Sequence, residues 1–222
     1  MRKLFEIGGL VAAAVLIAFG ITALVLGVNG RSTVRDSIKQ EKIVGSGDMT
    51  PAAIAKEAKE AKLPASVALP TCDVAGEPIT NGAEARCFAQ YMRIHTLEAT
   101  GGYTYAEMGR YQAKPGAPAK ELAVGGGTNN TEYAVVDSAT KRPVANGLRD
   151  LWVTETALTT ALNTSYMADQ LSLFSLVVGV ALLLSGIGFA VLALGGALRG
   201  EAVFSIFGKG FPKGGRAPAP TA

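Results

Sequence analysis

The chain has 222 residues, with 21 Lys and Arg against 18 Asp and Glu, a single histidine and two cysteines. A net charge of +3 with no basic stripe interleaved with aromatics leaves no electrostatic footprint for nucleic acid. One histidine excludes, within one chain, the two-histidine, one-carboxylate centre of non-haem iron enzymes.

After a short N-terminal segment, residues 1–6, Ile7 to Val28 runs for 22 residues without a charge. About 20 apolar residues at 1.5 Å each cross a hydrocarbon core of roughly 30 Å. In lipid the backbone must satisfy its own hydrogen bonds, so 7–28 is predicted as transmembrane helix 1. Its apolar run exceeds that of a signal peptide and no A-x-A site follows, so it reads as an uncleaved anchor. Gly9, Ala13, Ala14 and Ala18 line part of it. Ser32 to Val44 is polar and prolongs the helix, turns extended at Lys42 to Val44, and breaks at Gly45 to Gly47.

Thr50 and Pro51 read as N-cap and first helical position of a helix that runs to Lys62 and stops at Pro64. Its Lys/Glu face reads as solvated. Leu63 to Asn81, with three prolines, is irregular chain pinned by Cys72. Gly82 to Thr100 is the clearest soluble helix, with Phe88, Tyr91, Met92 and His95 on one stripe of a 3.6-residue period. Gly101 and Gly102 end it, and Thr104 with Glu107 forms a capping box that opens a short helix towards Tyr111.

Residues 113–147, rich in Gly and Pro, are expected to be a flexible insertion, with Glu132–Asp137 and Arg142–Ala145 placed to pair as a small hairpin. From Leu148 the helical pattern resumes through Trp152, Glu155, Leu158 and Leu162. No Gly or Pro interrupts it before the second uncharged run, Leu171 to Leu198, 28 residues long. One continuous helix is predicted to carry the chain into transmembrane helix 2, 171–198. Gly179, Gly186, Gly188, Gly196 and Gly200 are its candidate helix-packing positions, the last two forming a G-x-x-x-G step that permits close backbone approach in lipid. Simple abundance of glycine is the competing explanation. In the 199–222 tail, Phe204, Phe207 and Phe211 among Lys209 and Lys213 suit contact with membrane lipids, and Pro218–Ala222 is expected to be disordered. The fold class is mainly α: a helical hairpin of two transmembrane helices carrying a small, mostly helical extracytoplasmic domain, 29–170.

Orientation rests on basic residues near the span ends. Residues 150–170 contain none, whereas Arg199, Lys209, Lys213 and Arg216 follow the second span. Both termini are therefore expected in the cytoplasm, with the loop extracytoplasmic in a multi-pass plasma-membrane protein. Cysteine usage agrees: Cys72 and Cys87 both lie in the loop, and an even count in an oxidising compartment predicts a disulfide.

Chemistry-bearing motifs are sparse. No G-x-x-x-x-G-K-[ST] phosphate loop and no G-x-S-x-G elbow occur. No catalytic residue, cofactor-binding residue or metal ligand is assigned, and no enzyme activity is expected. What remains is His95 with Glu98, three apart on one helix face. This pair is open to three readings: a pH-sensing pair, half of an intersubunit metal site, or a packed histidine beside Phe88 and Tyr91 that hydrogen-bonds Glu98. The last is the favoured one.

The stretches from His95 to Met108 and from Glu155 to Asn163, with the span that follows, resemble a family of small actinobacterial membrane proteins with two spans. Members are often labelled aromatic ring-opening dioxygenases. Thr100-Gly-Gly-Tyr-Thr-Tyr-Ala-Glu107 is the most specific part, and residues 113–146 look like an insertion that shorter relatives lack. The resemblance implies the two-span topology and an actinobacterial plasma membrane, but the dioxygenase label needs iron ligands that this chain lacks. The expected role is an accessory subunit or envelope scaffold that docks a protein partner or self-associates through its spans and loop. A ligand or pH sensor coupled to transmembrane helix 2, lined by His95, Tyr103 and Tyr105, is the alternative, and a homo-oligomeric pore ranks lower.

Overall fold

The computed structural model describes residues 2–195. The readings placed on Gly196, Gly200, the end of the second span and the whole 199–222 tail lie outside the described residues. The described residues are mainly helical, and among them are four α-helices: α1 (Arg2–Gln40), α2 (Pro51–Glu60), α3 (Gly82–Ala99) and α4 (Gly147–Leu194). Two of them, α1 and α4, are long and apolar enough to cross a membrane. Contacts divide the chain into two compact units, Met1–Val28 with Leu173–Ala222, and Asn29–Ser172.

The first unit is a pair of apolar helical segments. On α1 the buried positions are Gly9, Ala13, Gly20 and Gly27; on α4 they are Gly179, Gly186 and Ala193. A repeat of seven keeps one seam of a helix facing its partner, the period of a left-handed supercoil. Small residues at those positions let the two backbones meet. A Cβ on Gly20 would lie 2.8 Å from the Leu183 nitrogen, and one on Gly186 would lie 3.0 Å from the Ala13 carbonyl oxygen. Gly20 sits by Gly179 and Leu183 while Ala13 and Ile17 sit by Gly186, so the numbering runs in opposite directions and the pair is antiparallel. Gly179 and Gly186 thus occupy the seam. Gly188 does not: among the described residues, nothing lies within 4 Å of where its Cβ would be. Ala14 and Ala18 also face outward. Away from the seam, large apolar side chains such as Phe19, Leu26, Phe174 and Leu184 are exposed.

The second unit has its own core. α3 is the hub, because its stripe through Ala85, Phe88, Tyr91 and Ile94 is buried on nearly every turn. Ile54 and Ala58 from α2, Trp152 and Leu162 from α4, Ile38 from α1, and Met49, Val74 and Ile79 from the connecting chain pack into the same cluster. Capping follows the residue types. The Thr50 hydroxyl accepts from the Ala53 amide at 3.1 Å, with Pro51 opening α2. Asn81 accepts from the Glu84 amide at the start of α3, a cap the sequence reading passed over.

Cys72 and Cys87 form a disulfide with an S–S distance of 2.05 Å, tying the irregular 63–81 segment to α3. Tyr91, fully buried, donates its hydroxyl to the Cys72 carbonyl at 2.6 Å, a second anchor at the same point. Near the ends of the loop unit, Arg31 Nε lies 3.2 Å from Asp169 Oδ1, and the Asp169 side chain is 8% exposed. α4 needs no break between Gly147 and Leu194, in keeping with the uninterrupted pattern of its sequence.

Residues 113–147 are more structured than their glycines suggest. Tyr111 bridges both Thr128 and Ala145, Ala113 bridges Ala134, and Val136 bridges Pro143. Thr128 and Ala134 are fully buried. The expected hairpin is present as this single Val136–Pro143 bridge, with the Val144 amide donating to the Val135 carbonyl at 2.8 Å. Among the described residues no bridge extends into a strand. The segment is held by turns and by hydrogen bonds between residues distant in sequence, such as the Gln112 amide to the Val144 carbonyl at 3.0 Å, a pattern that periodicity cannot reveal.

Candidate functional site

The chemistry-bearing side chains gather around His95 on α3. His95 Nε2 lies 3.6 Å from Glu57 Oε2 on α2 and 3.8 Å from Asp48 Oδ2 in the loop before it. One donor atom from each of the three residues lies within 4.8 Å of the other two. The expected partner of the histidine is therefore corrected. Glu98 shares the helix but is exposed, and among the described residues no hydrogen bond or ion pair joins it to His95. The reason is packing: α2 and the Ser46–Thr50 loop come up against α3 beside His95 and bring their carboxylates with them.

Each element holds its group for a local reason. Gly45 leaves no room for a side chain, since a Cβ there would meet the Val74 carbonyl. The loop that follows is fixed by the Met49 amide donating to the Ser46 carbonyl and the Thr50 amide to the Asp48 carbonyl. The Ser46 hydroxyl donates to Asp48 Oδ1, so that Oδ2 is the oxygen turned to the imidazole. Glu57 flanks the buried Ile54–Ala58 stripe of α2, which places its carboxylate at the α2–α3 junction.

The electrostatics fit two acids converging on one point. Burial, and then the charge of Asp48, push Glu57 above the usual glutamate range. The Ser46 hydroxyl does most to hold Asp48 below its usual range, with His95 adding a smaller pull the same way. His95 Nε2 is itself shut off from solvent and, among the described residues, has no hydrogen-bond partner. A separation of 3.6 Å is too long for a hydrogen bond. The polar atom is aimed at two carboxylates and bonded to neither.

The Thr100–Glu107 motif is elsewhere and does structural work. Gly102 donates to the Leu97 carbonyl at 2.7 Å and Gly101 to Glu98 at 3.0 Å, the two bonds of a Schellman end. Both glycines have positive φ, 64° and 86°, which other residues adopt at a cost. The chain then passes Trp152, whose indole Nε1 donates to the Tyr103 carbonyl at 2.7 Å. The Thr104 amide and hydroxyl both donate to the Glu107 carboxylate, at 2.8 and 2.7 Å. The helix opened by this box is one turn, Tyr105–Glu107, shorter than expected. Tyr105 stacks under the Arg149 guanidinium, 3.9 Å from the ring centre. Among the described residues, no hydrogen bond or ring contact links Tyr103 or Tyr105 to His95.

Asp48 and Glu57 were missed by sequence reasoning. Glu57 could have been found: it follows Ile54 by three and precedes Ala58, beside the apolar stripe of α2. Asp48 carries no such periodic signal, since only the fold of a glycine-flanked loop brings it to α3.

Comparisons with protein-family models, with curated proteins and with solved structures give no match to this chain.

Proposed function

We propose that this is a non-enzymatic integral plasma-membrane protein, crossing the bilayer twice, whose extracytoplasmic domain docks partner proteins as an accessory subunit or envelope scaffold. The single observation that carries this reading is an uncovered apolar face on a domain already well packed inside. Tyr105, Trp152, Val153, Thr156, Ala157 and Thr160 line a shallow groove of about 540 Å³. Leu148 and Leu151, on the same helix, are also exposed. Uncovered apolar surface of this kind marks protein or membrane contact more often than idle surface. Two apolar helices whose outward faces are large and apolar favour lipid around the first unit.

The test is site-specific photo-crosslinking from Ala157 in native membranes. A discrete adduct, lost when Val153 is replaced by Glu, supports docking. Crosslinks to lipid alone, with blue-native migration at monomer size, would refute it.

A second reading has one observation in its favour: His95 is positioned against two carboxylates of different elements, as in a ligand- or pH-sensing switch coupled through the chain to transmembrane helix 2. The membership of the actinobacterial two-span family remains part of the proposal, carried by the Thr100–Glu107 motif.

A further inference from the structure

We propose that Asp48, Glu57 and His95 form a three-ligand site for a divalent cation of the zinc class, which clamps the Ser46–Thr50 loop and α2 onto α3. The inference is independent of partner docking. It starts from the donor set, one imidazole nitrogen and two carboxylate oxygens, which is a mixed set suited to Zn²⁺ and its first-row neighbours rather than to Ca²⁺ or Mg²⁺, whose shells are all oxygen.

Distance is the second argument. Zn²⁺ bonded to nitrogen and oxygen at about 2.0–2.1 Å sets tetrahedral ligands about 3.4 Å apart. The observed gaps from Nε2, 3.6 and 3.8 Å, exceed that edge by only a few tenths of an ångström. They are too long for hydrogen bonds and lie within the range of an ion pair, so the imidazole faces both carboxylates without being bonded to either. The third gap, between the two carboxylates, is within 4.8 Å, so rotation of the Asp48 and Glu57 side chains is what would close the set around a common ion.

Burial supplies the third. Nε2 is the atom a cation would need, and it is shielded from solvent with no other partner. The side chains nevertheless keep access to water: His95 and Glu57 are each 25% exposed and Asp48 42%. A fourth position is thereby left for a water molecule, as in open three-ligand zinc sites. The Ser46 hydroxyl on Asp48 Oδ1 orients that carboxylate, the supporting contact that metal ligands usually have. A cation would also relieve the repulsion between Asp48 and Glu57.

The experiment uses the full-length chain in mild detergent, purified with a non-histidine tag and stripped with chelator. Zn²⁺ is titrated calorimetrically, and Co²⁺ serves as a visible-absorption probe that Zn²⁺ displaces. The expected result is saturable binding of about one ion per chain, weakened at least about tenfold in His95→Gln and in Glu57→Gln, and unchanged in Glu98→Gln. Melting without metal checks that each variant folds. Should His95→Gln fail to fold, Asp48→Asn and Glu57→Gln decide the outcome, since both positions are partly exposed. No saturable binding by the native chain, or equal binding by the variants, overturns the site.

Discussion

Replacing Gly186 by Ala should weaken the apolar helix pair, while the same change two residues on, at Gly188, should not. A Cβ on Gly186 would stand 2.7 Å from Ile17 Cγ1 and 3.0 Å from both the Ala13 carbonyl oxygen and the Ile17 nitrogen. Carbon contacts are most favourable at about 3.5–4.0 Å, so the helices must part by roughly 0.5–1 Å to admit one methyl. Two of the three opposing atoms are backbone and cannot rotate away. Overpacking of this kind costs about 1–3 kcal/mol, offset by up to about 1 kcal/mol of helix propensity gained on replacing Gly by Ala. The net expectation is a loss of about 0–2 kcal/mol for Gly186→Ala, towards the upper end because two of the opposing atoms are backbone, with Gly179→Ala similar because Leu24 Cγ and N stand 2.8 and 2.9 Å away. At Gly188 only the propensity gain applies, so the change is neutral or mildly stabilising. Unfolding in mixed SDS micelles, followed by far-UV circular dichroism, reads the difference. Equal loss at 186 and 188, or none at either, would refute the seam.

Asp169→Asn leaves Arg31 beside a neutral partner; because Arg31 is 36% exposed, we expect a loss of about 1–2 kcal/mol in the same unfolding assay, reduced by added salt. Removing the disulfide by Cys72→Ser with Cys87→Ser should destabilise the loop unit by about 3 kcal/mol, the chain-entropy value for a 15-residue separation, read as a lower thermal midpoint under oxidising conditions. Glu107 should show in the acid limb of stability. The Thr104 amide, and then its hydroxyl, hold this carboxyl below the usual glutamate range. A depressed folded-state pKa gives stability that is complete above the unfolded value, about 4.3, and is lost as pH falls through the lower folded value. Glu107→Gln should therefore flatten that part of the pH–stability curve and leave the neutral region nearly parallel to the native one.

The two long apolar helices, the α2 cap at Thr50 and the α3 stripe were legible because each depends on residues near one another in sequence: uncharged length, a hydroxyl before a proline, apolar spacing of three and four. The seam glycines were half legible. Composition marks Gly179, Gly186 and Gly188 alike, and only the seven-residue spacing that links Gly179, Gly186 and Ala193 separates the buried ones. Gly20, where a Cβ would lie 2.8 Å from the Leu183 nitrogen, carries the same seven-residue spacing from Ala13 and to Gly27, a period that composition alone does not single out. The 113–147 segment was opaque because its order comes from single bridges such as Tyr111–Thr128 and Tyr111–Ala145, which join residues distant in sequence and follow no period. At the site, His95 was legible as an ionisable group on an apolar stripe. Its true neighbours were not, because Asp48 and Glu57 lie 47 and 38 residues earlier in the chain and reach it only through tertiary packing. The nearest acid in sequence, Glu98, proved the wrong partner for that reason.

Cysteine accessibility on intact cells is the most direct test of the two-crossing account. In a background of Cys72→Ser and Cys87→Ser, single changes Ser138→Cys, in the exposed turn of the loop unit, and Lys3→Cys, ahead of the first span, are each treated with a membrane-impermeant maleimide. The account predicts labelling at 138 without permeabilisation and at 3 only after it. Labelling at 3 on intact cells, with 138 protected until the membrane is opened, would contradict it.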